Sequence, residues 1–147
     1  MPVEVVPGLY IGSVGAATNR KALEENNISH VICAAAGIAP VFSSAGIQYL
    51  LLELEDYPSA DITRYLDVSS QYINNALKYH GNVLVHCFAG RSRSAAIVAA
   101  YLIRYHQMTF EEAIQAIKSK KRNIRPNKGF CYQLESFSSS DVNKHST

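Results

Sequence analysis

The segment Val83–Ser94 (VLVHCFAGRSRS) constrains the fold more than any other part of this 147-residue chain. An apolar, β-branched run ends at Cys87, a short loop containing Gly90 follows, and an Ala-rich apolar run begins after Ser94. Strand, short loop and helix in this order direct the N–H groups of the loop and the positive end of the helix dipole at one point. The segment therefore predicts a strand that carries a cysteine into an anion-binding loop at a helix N-terminus.

The residues of this loop suit attack by sulfur on a phosphate ester. Loop N–H groups and the positive end of a helix dipole stabilise a thiolate, and the same field attracts a phosphate dianion. Arg93 supplies a rigid fork of donors for two phosphoryl oxygens, which a lysine does not match. Gly90 allows the loop to turn without a Cβ that crowds the anion. The pattern predicts a cysteine-dependent phosphatase with Cys87 as the nucleophile and Arg93 as the phosphate ligand.

Two further side chains flank the cysteine. Ser94 is predicted either to cap a helix over residues 94–105 or to donate a hydrogen bond to the Cys87 sulfur when a phosphocysteine intermediate breaks down. Both roles suit a hydroxyl, and both stay open at the level of sequence. His86 is predicted to be mainly a structural histidine of the core. Its functional role is predicted to be a hydrogen bond that shapes the loop.

The motif His86-Cys87-x5-Arg93-Ser94 resembles the signature of the protein tyrosine phosphatase superfamily, and the wider chain is similar to its small dual-specificity branch. The resemblance covers about residues 3–137. It extends to an opening strand, a second strand and a closing segment, which are Pro7–Ser13, Ile28–Ile32 and Asn123–Asn127 followed by Phe130 and Gln133-Leu134. The chain resembles an atypical member of this branch, which consists of the catalytic domain only and lacks the N-terminal domain by which kinase-directed members dock their substrates.

The resemblance implies a phosphatase that hydrolyses phosphotyrosine and phosphoserine or phosphothreonine in phosphoprotein partners, without a cofactor. It also implies a phosphocysteine intermediate on Cys87. The phosphate is expected to bind to the loop residues Phe88, Ala89, Gly90, Arg91, Ser92 and Arg93. Arg91 differs from the small apolar residue often found at this position in mitogen-activated-protein-kinase phosphatases, and a cation here favours more highly charged substrates.

The leaving oxygen of the ester needs a proton, so the chain must supply a general acid. The candidates before the next helix are Glu53, Glu55, Asp56 and Asp61. The family resemblance selects Asp56, because the acid of the family lies on this loop, six residues before the apolar residue that opens the helix, here Ile62. Asp61 is predicted to be the N-cap of that helix.

Alternating apolar and amphipathic stretches predict an α/β fold with a mostly parallel central sheet of about five strands and helices on both faces, as in cysteine phosphatases. The predicted strands are 3–6, 9–11, 28–33, 47–54 and 83–87. The predicted helices are 13–27, one capped by Asp61 and ending at His80, a buried one over 94–105, one after a capping box at Thr109–Glu112, and a last one from Asn127. Ligands of such sheets bind beyond the carboxyl ends of the strands, where Cys87 and Asp56 both lie.

Composition sets the remaining limits. An apolar fraction of 48% and a charged fraction of 18% predict a single globular domain over 3–137, with a polar tail over 138–147 expected to be disordered. The net charge of +2 gives no argument for a nucleic-acid partner. Three cysteines predict a reducing compartment, and no membrane anchor is recognised. We expect the cytoplasm, with the nucleus as the alternative, and the sequence leaves the oligomeric state open.

The other polar candidates receive structural interpretations. Cys33 and Cys131 are predicted to be buried core residues, with a Cys33–Cys87 disulfide under oxidation as a minority alternative. Asn127 is predicted to cap the last helix, and the alternative is that it orients the pocket wall or the attacking water. The basic run 118–122 is interpreted as the solvated end of a helix that adds attraction for anionic substrates. The histidines are scattered without the spacing of metal ligands, so no metal site is predicted.

The predicted pocket is shallow, flanked by Tyr57 and the loop after Arg125, so it admits phosphoserine and phosphothreonine as well as phosphotyrosine. Three alternatives remain. The first is that the same chemistry acts on a non-protein phosphate such as a phosphoinositide or an RNA 5′-phosphate. The second is that the chain binds phosphoproteins without turnover. The third is that the chain transfers sulfur as rhodanese-type enzymes do, although their loop lacks the Cys-x5-Arg-Ser run.

Overall fold

The structure of the protein, a computed structural model, describes residues 1–42 and 45–145. Its strands are β1 (Val3–Val6), β2 (Leu9–Gly12), β3 (His30–Cys33), β4 (Gln48–Leu51) and β5 (Val83–His86). Its helices are α1 (Val14–Ala17), α2 (Arg20–Glu25), α3 (Thr63–Lys78), α4 (Arg93–Tyr105), α5 (Phe110–Lys120) and α6 (Lys128–His145). The strands form one five-stranded sheet in the order β1-β2-β5-β3-β4.

The sheet is parallel except at one edge, where β1 pairs antiparallel with β2. This confirms the predicted mostly parallel sheet of five strands. His86, the last residue of β5, lies in register with Gly12 on one neighbour and with Cys33 on the other. Three strands therefore end at the same edge, and the loops that leave them meet there.

Helices cover both faces of the sheet, as predicted. Side chains alternate along a strand, so Val83 and Val85 of β5 point to one face and Leu84 to the other. Val83 and Val85 pack in the main core with α3, α4, α5 and α6, whereas Leu84 packs with residues of α1 and α2, among them Leu23. Helix α4 is buried along its whole middle, from Ser94 to Ile103, because its Ala-rich surface is apolar on nearly every side.

Two elements differ from the sequence prediction at their ends. The stretch 13–27 forms two short helices, because the side chain of Asn19 accepts a hydrogen bond from Ala22 N–H and starts a second helix. Strand β4 ends at Leu51, so the predicted strand over 47–54 is too long. Leu52 and Leu54 are nevertheless buried, because they pack in the main core after the strand ends.

The capping predictions hold in part. Thr109 and Glu112 form the predicted capping box of α5, with both reciprocal hydrogen bonds present. Asp61 lies one residue before the N-cap of α3, which is Ile62, and its carboxylate accepts a hydrogen bond of 3.0 Å from Thr63 N–H. Asp61 therefore satisfies one of the free N–H groups of the helix, although it is not itself the N-cap.

Helix α6 extends beyond the predicted end of the folded domain. It continues through residues 138–145, for which the sequence predicts disorder, and the last two residues of the predicted tail lie outside the described residues. Phe137 is partly buried beneath the guanidinium of Arg104, 4.4 Å from the ring centroid, and Ser138 is buried. Because Phe137 and Ser138 pack on one side of the helix, the helix continues into the tail although the tail is polar.

Candidate active site

Cys87 lies directly after β5 at the floor of an open depression of about 440 Å³. The depression is lined by Asp56, Cys87, Phe88, Ala89, Arg91, Ser92, Arg93 and Arg125. Cys87 is only 2% exposed, and its Sγ lies 3.2 Å from Ser94 Oγ. Helix α4 begins at Arg93, so the loop that holds the cysteine runs straight into a helix N-terminus.

The loop that follows Cys87 packs against the connection between β2 and α1. Val14 N–H donates a hydrogen bond of 3.0 Å to Phe88 O. Gly90 has a φ of +73°, and a Cβ on it would lie 2.8 Å from the carbonyl carbon of Gly12. The sequence explains Gly90 by crowding of the anion, but the structure gives a different reason, which is close packing against the backbone of Gly12.

His86 is a buried support of the loop. It is 3% exposed, and its Nδ1 lies 3.3 Å from Cys87 O. Burial lowers the pKa of His86, because the charged imidazolium is poorly solvated there. Its own carbonyl accepts a hydrogen bond of 2.8 Å from Ala34 N–H, which fixes the end of β5 to the chain after β3.

Arg93 reaches into the depression from the first position of α4. Its Nη1 donates a hydrogen bond of 3.0 Å to Leu54 O, in the segment between β4 and α3. Its Nε is buried and has no hydrogen-bond partner within the described residues. The guanidinium is therefore fixed on one edge and carries an unsatisfied donor on the other.

Asp56 also lies at the depression, joined to both neighbouring segments. Its Oδ1 accepts a hydrogen bond of 2.7 Å from Ser92 Oγ and one of 3.0 Å from Asn127 Nδ2. Asn127 N–H in turn donates to Ser92 Oγ at 3.0 Å. Three segments that are distant in sequence thus meet through one carboxylate, one hydroxyl and one amide.

Asn127 caps a helix, as the sequence predicts, and makes a second contact that the sequence does not predict. Its Oδ1 accepts a hydrogen bond of 2.9 Å from Phe130 N–H, which caps the start of α6. Its Nδ2 holds Asp56 at the same time. The helix cap and the contact with the candidate acid use opposite ends of one amide.

The other acid candidates lie in a neighbouring depression of about 340 Å³. Glu53, Glu55 and Asp61 line it together with Arg64. Hydrogen bonds from the Thr63 hydroxyl and N–H lower the pKa of Asp61, because they stabilise the carboxylate. Asp56 is therefore the carboxylate that the fold brings to the cysteine.

Ser94 has the geometry of one of its two predicted roles. The N-cap of α4 is Ser92, and α4 begins at Arg93, so Ser94 lies inside the helix and does not cap it. Its hydroxyl contacts the cysteine sulfur instead. The predicted helix start at 94 is one residue late.

The rim of the depression is positively charged. Arg91 and Arg125 line it, and Arg125 N–H donates a hydrogen bond of 2.7 Å to Arg91 O. Burial lowers the pKa of Lys121, and the nearby charge of Arg91 lowers it further, whereas Cys87 acts in the opposite direction. In the described part of the chain, none of these three cations forms an ion pair with a carboxylate. The rim thus presents unneutralised positive charge to an incoming anion.

Among the remaining predicted residues, some agree with the sequence prediction and others do not. Cys33 is buried and packs beside Cys87, as predicted, and both are free thiols. Cys131 is only partly buried, so its assignment to the core is wrong. It lies in the first turns of α6, where its Sγ donates to Pro126 O. Tyr57 is 60% exposed and is not among the residues that line the depression.

Sequence reasoning missed three contributors to the site. Gly12 and the Leu54 carbonyl support the loop and Arg93, and Gln133 contacts the segment that carries Asp56. Gly12 and Gln133 lie in stretches that the resemblance singles out, which was the available signal. Across the described residues, no cluster of three or more His, Cys, Asp or Glu side chains could hold a metal ion, and no helix could span a membrane.

Comparison with known proteins identifies similar sequences and structures. A model of the dual specificity phosphatase catalytic domain matches residues 9–140. Dual specificity protein phosphatase 1B of Arabidopsis thaliana is 40% identical over 137 residues, which cover 93% of this chain and 81% of that protein. The crystal structure of DUSP15 superposes with a TM-score of 0.92 at 33% identity, covering 97% of this chain and 90% of that one. The human tyrosine phosphatase-like serine/threonine/tyrosine-interacting protein also superposes with a TM-score of 0.92, at 32% identity over 96% of this chain and 97% of its own.

Proposed function

The chain belongs to the dual specificity phosphatase family and is a protein phosphatase of the tyrosine phosphatase type. From that premise we propose that it hydrolyses phosphotyrosine and phosphoserine or phosphothreonine through a phosphocysteine on Cys87. Arg93 binds the phosphate, and Asp56 is the general acid and then the general base. The substrates are phosphoproteins of the cytoplasm or nucleus, where free thiols such as those of this chain persist.

The observation that carries this proposal is the buried Arg93 Nε without a hydrogen-bond partner within the described residues, on a side chain that lines the same depression as Cys87. A buried donor without a partner costs about 1–3 kcal/mol, and more when the group is charged. Nη1 of Arg93 is already held by the Leu54 carbonyl, so the side chain is not free to turn toward another acceptor. A phosphoryl oxygen is the kind of acceptor that such a guanidinium donor binds, so these contacts support Arg93 as the phosphate ligand.

The first chemical step transfers the phosphoryl group to sulfur. Cys87 attacks phosphorus as the thiolate, while Arg93 and the loop N–H groups hold the equatorial oxygens, on which charge is spread in the transition state. The bond between phosphorus and the ester oxygen breaks. Asp56 gives its proton to the departing oxygen, which leaves as a neutral alcohol or phenol.

The second step releases phosphate. Water attacks the phosphorus of the phosphocysteine, Asp56 accepts the proton of the water, and the bond between sulfur and phosphorus breaks. The contact of 3.2 Å between Ser94 Oγ and Cys87 Sγ supports a hydrogen bond from the hydroxyl to the departing sulfur. The enzyme returns to its starting state after phosphate leaves.

Two observations bear on the substrate. Phe88 is 65% exposed and Asp56 belongs to an exposed segment, which supports a shallow depression that a short phosphoserine side chain enters. The unneutralised charge of Arg91 and Arg125 favours the alternative of a more highly charged, non-protein phosphate such as a phosphoinositide or an RNA 5′-phosphate. A phosphoprotein-binding role without turnover is the remaining alternative, because one structural neighbour is named only as phosphatase-like and interacting.

One panel of substrates tests the proposal. Wild-type protein, Cys87→Ser and Asp56→Ala are each assayed on p-nitrophenyl phosphate, phosphotyrosine and phosphothreonine peptides, inositol lipids, 5′-triphosphate RNA and thiosulfate. We expect hydrolysis of both peptides by wild type, in the presence of a chelator, and none by Cys87→Ser. Faster turnover of lipid or RNA than of peptide would support the alternative substrates. Full activity of Cys87→Ser would refute the mechanism.

A further inference from the structure

Helix α6 holds the segment that carries Asp56 at three points. We call this segment, residues 56–62, the acid loop. Asn127 binds Asp56 itself, as described above. A Cβ on Gly129 would overlap with Pro58 O, so the helix backbone packs directly against the loop backbone. The third point is the side chain of Gln133, one turn further along the helix.

Gln133 joins the acid loop with both ends of its amide. Its Oε1 accepts a hydrogen bond of 2.8 Å from Ile62 N–H, and its Nε2 donates one of 2.9 Å to Ala60 O. The same Nε2 donates to Gly129 O at 3.1 Å, which ties the amide to its own helix. Because donor and acceptor ends are both engaged, the amide has one orientation and fixes two backbone positions of the loop.

These bonds act between the buried end of the acid loop, where Ile62 lies in the main core, and its exposed end at Asp56. Ile62 is the N-cap of α3, no side chain of α3 or its N-cap caps that helix end, and the N–H of Ile62 is one of the groups that a helix start leaves free. Asp56 itself is exposed, so burial does not fix its position. The position of Asp56 therefore depends on polar contacts, from Ser92 and Asn127 to its carboxylate and from Gln133 to the backbone at the opposite end of the loop.

We propose that Gln133 is a positioning residue for the general acid: it pins the acid loop to α6 and so keeps the Asp56 carboxylate at the Cys87 depression before substrate binds. This inference rests on the role of Asp56 given under the proposed function. A general acid loses efficiency when it drifts by about an ångström from the leaving oxygen, because proton transfer needs hydrogen-bond geometry. The effect of Gln133 on catalysis is thus expected to pass entirely through Asp56.

The dependence on the leaving group separates this role from a merely structural one. A poor leaving group needs a proton in the transition state, whereas a good one departs without it. Loss of Gln133 should therefore slow phenyl phosphate strongly and an activated aryl phosphate, such as a fluorinated coumarin phosphate, very little. General loosening of the fold would slow both substrates alike.

The test uses two variants and a matched control in the full chain. Gln133→Met keeps the approximate shape and removes both hydrogen bonds, and Gln133→Glu keeps the acceptor for Ile62 N–H but removes the donor to Ala60 O. Glu135→Gln makes the reverse exchange at an exposed position of the same helix. We expect kcat/KM on phenyl phosphate, which reports the steps through phosphoryl transfer to sulfur, to fall about tenfold or more in both Gln133 variants, with about twofold change or less in kcat/KM on the activated ester. Glu135→Gln should match wild type on both substrates.

The variants are then combined with Asp56→Asn. If Gln133 acts through the acid, Gln133→Met and Gln133→Glu cause no further loss on phenyl phosphate in the Asp56→Asn background. Equal losses on both esters, additive losses with Asp56→Asn, or unchanged kinetics would each overturn the proposal for Gln133 alone. If Asp56→Asn shows no dependence on the leaving group, the assignment of the acid is wrong and the proposal for Gln133 is lost with it. Should Gln133→Met fail to fold, the Gln133→Glu series gives the same decision.

Discussion

The Ser92 hydroxyl donates a hydrogen bond of 2.7 Å to the Asp56 carboxylate, so the loop that holds the nucleophile and the loop that holds the acid are joined side chain to side chain. Ser92 also accepts the N–H of Asn127 at 3.0 Å. Its hydroxyl therefore has both its donor and an acceptor position occupied. A residue that the sequence assigns to phosphate binding uses its side chain to connect the parts of the site.

Ser92→Ala should slow the reaction on poor leaving groups. The variant removes the donor to Asp56 and leaves Asn127 N–H without its acceptor, so the acid loses one of its two tethers. We expect kcat/KM on phenyl phosphate to fall about tenfold, with kcat/KM on the activated ester less affected. Ser92→Thr, which keeps the hydroxyl, is the control and should retain most activity. Equal activity of Ser92→Ala and wild type on both esters would contradict the tether.

Gly90→Ala should destabilise the protein and abolish activity. Its φ of +73° is unfavourable for alanine, and the new Cβ would lie 2.8 Å from the backbone of Gly12. We expect a loss of about 3 kcal/mol or more in the free energy of unfolding by urea, because strain and overlap add. Gly37→Ala is the matched control, since Gly37 has a φ of +81° and no described atom within 4 Å of the added Cβ. Its loss should be limited to about 1–2 kcal/mol from the backbone conformation. Equal losses in the two variants would show that the contact with Gly12 is unimportant.

The site was predictable from sequence where its chemistry is local. Cys87, Gly90 and Arg93 lie within one loop, and the strand before it and the helix after it follow from their apolar patterns. The contacts from Ser92 to Asp56 and from Gln133 to Ile62 join residues 36 and 71 positions apart, so no periodicity or spacing could reveal them. They arise only when the sheet brings the strand ends together and α6 packs across them.

Other differences between the sequence prediction and the structure have the same physical origin. Phe137 and Ser138 pack against the body of the protein, which extends α6 into a stretch whose polar composition predicts disorder. Asn19 divides the predicted helix 13–27 because its side chain caps a new helix start. Composition averages over such single contacts, whereas the fold depends on them.

His86 should make stability depend on pH. Burial lowers its pKa below the ordinary value of 6.5, so the unfolded chain binds a proton more readily than the folded one as the pH falls through that value. The contribution is therefore fully present above about 6.5 and is lost as the pH falls toward the lowered pKa of the folded state. We expect the free energy of unfolding of wild type to decline more steeply between about pH 7 and 5 than that of His86→Asn. His30, whose pKa burial also lowers, is present in both proteins and cancels in the comparison. Parallel curves would contradict a neutral, buried His86.

Arg91→Ala should weaken the preference for highly charged substrates. The variant removes one of the rim cations that lack a carboxylate partner within the described residues. We expect kcat/KM for a doubly phosphorylated peptide to fall about five- to tenfold at low ionic strength, and the difference should shrink as salt screens the rim. Lys21→Ala, which removes an exposed cation of α2 paired with Glu25, is the control of equal charge change and should have no such effect. If Arg91→Ala lowers kcat/KM equally for peptides of any charge, the rim does not select for charge.

Asn127 permits the helix cap and the contact with the acid to be separated, because they use opposite ends of its amide. Asn127→Asp keeps an oxygen for Phe130 N–H and replaces the donor to Asp56 with a second carboxylate. We expect nearly unchanged stability to urea and a loss of about tenfold or more in kcat on phenyl phosphate, because the acid loses a donor and faces a like charge.

Asn127→Ala removes both functions and should show the same kinetic loss together with about 1 kcal/mol less stability. Asn19→Ala is the matched cap variant, since Asn19 caps α2 by the same type of bond, of 3.1 Å to Ala22 N–H, on the other face of the sheet. It should lose about 1 kcal/mol of stability and no activity. If Asn127→Asp were as active as wild type, Asn127 would be a helix cap only, and Asp56 would depend on Ser92 and the contacts of the acid loop with α6.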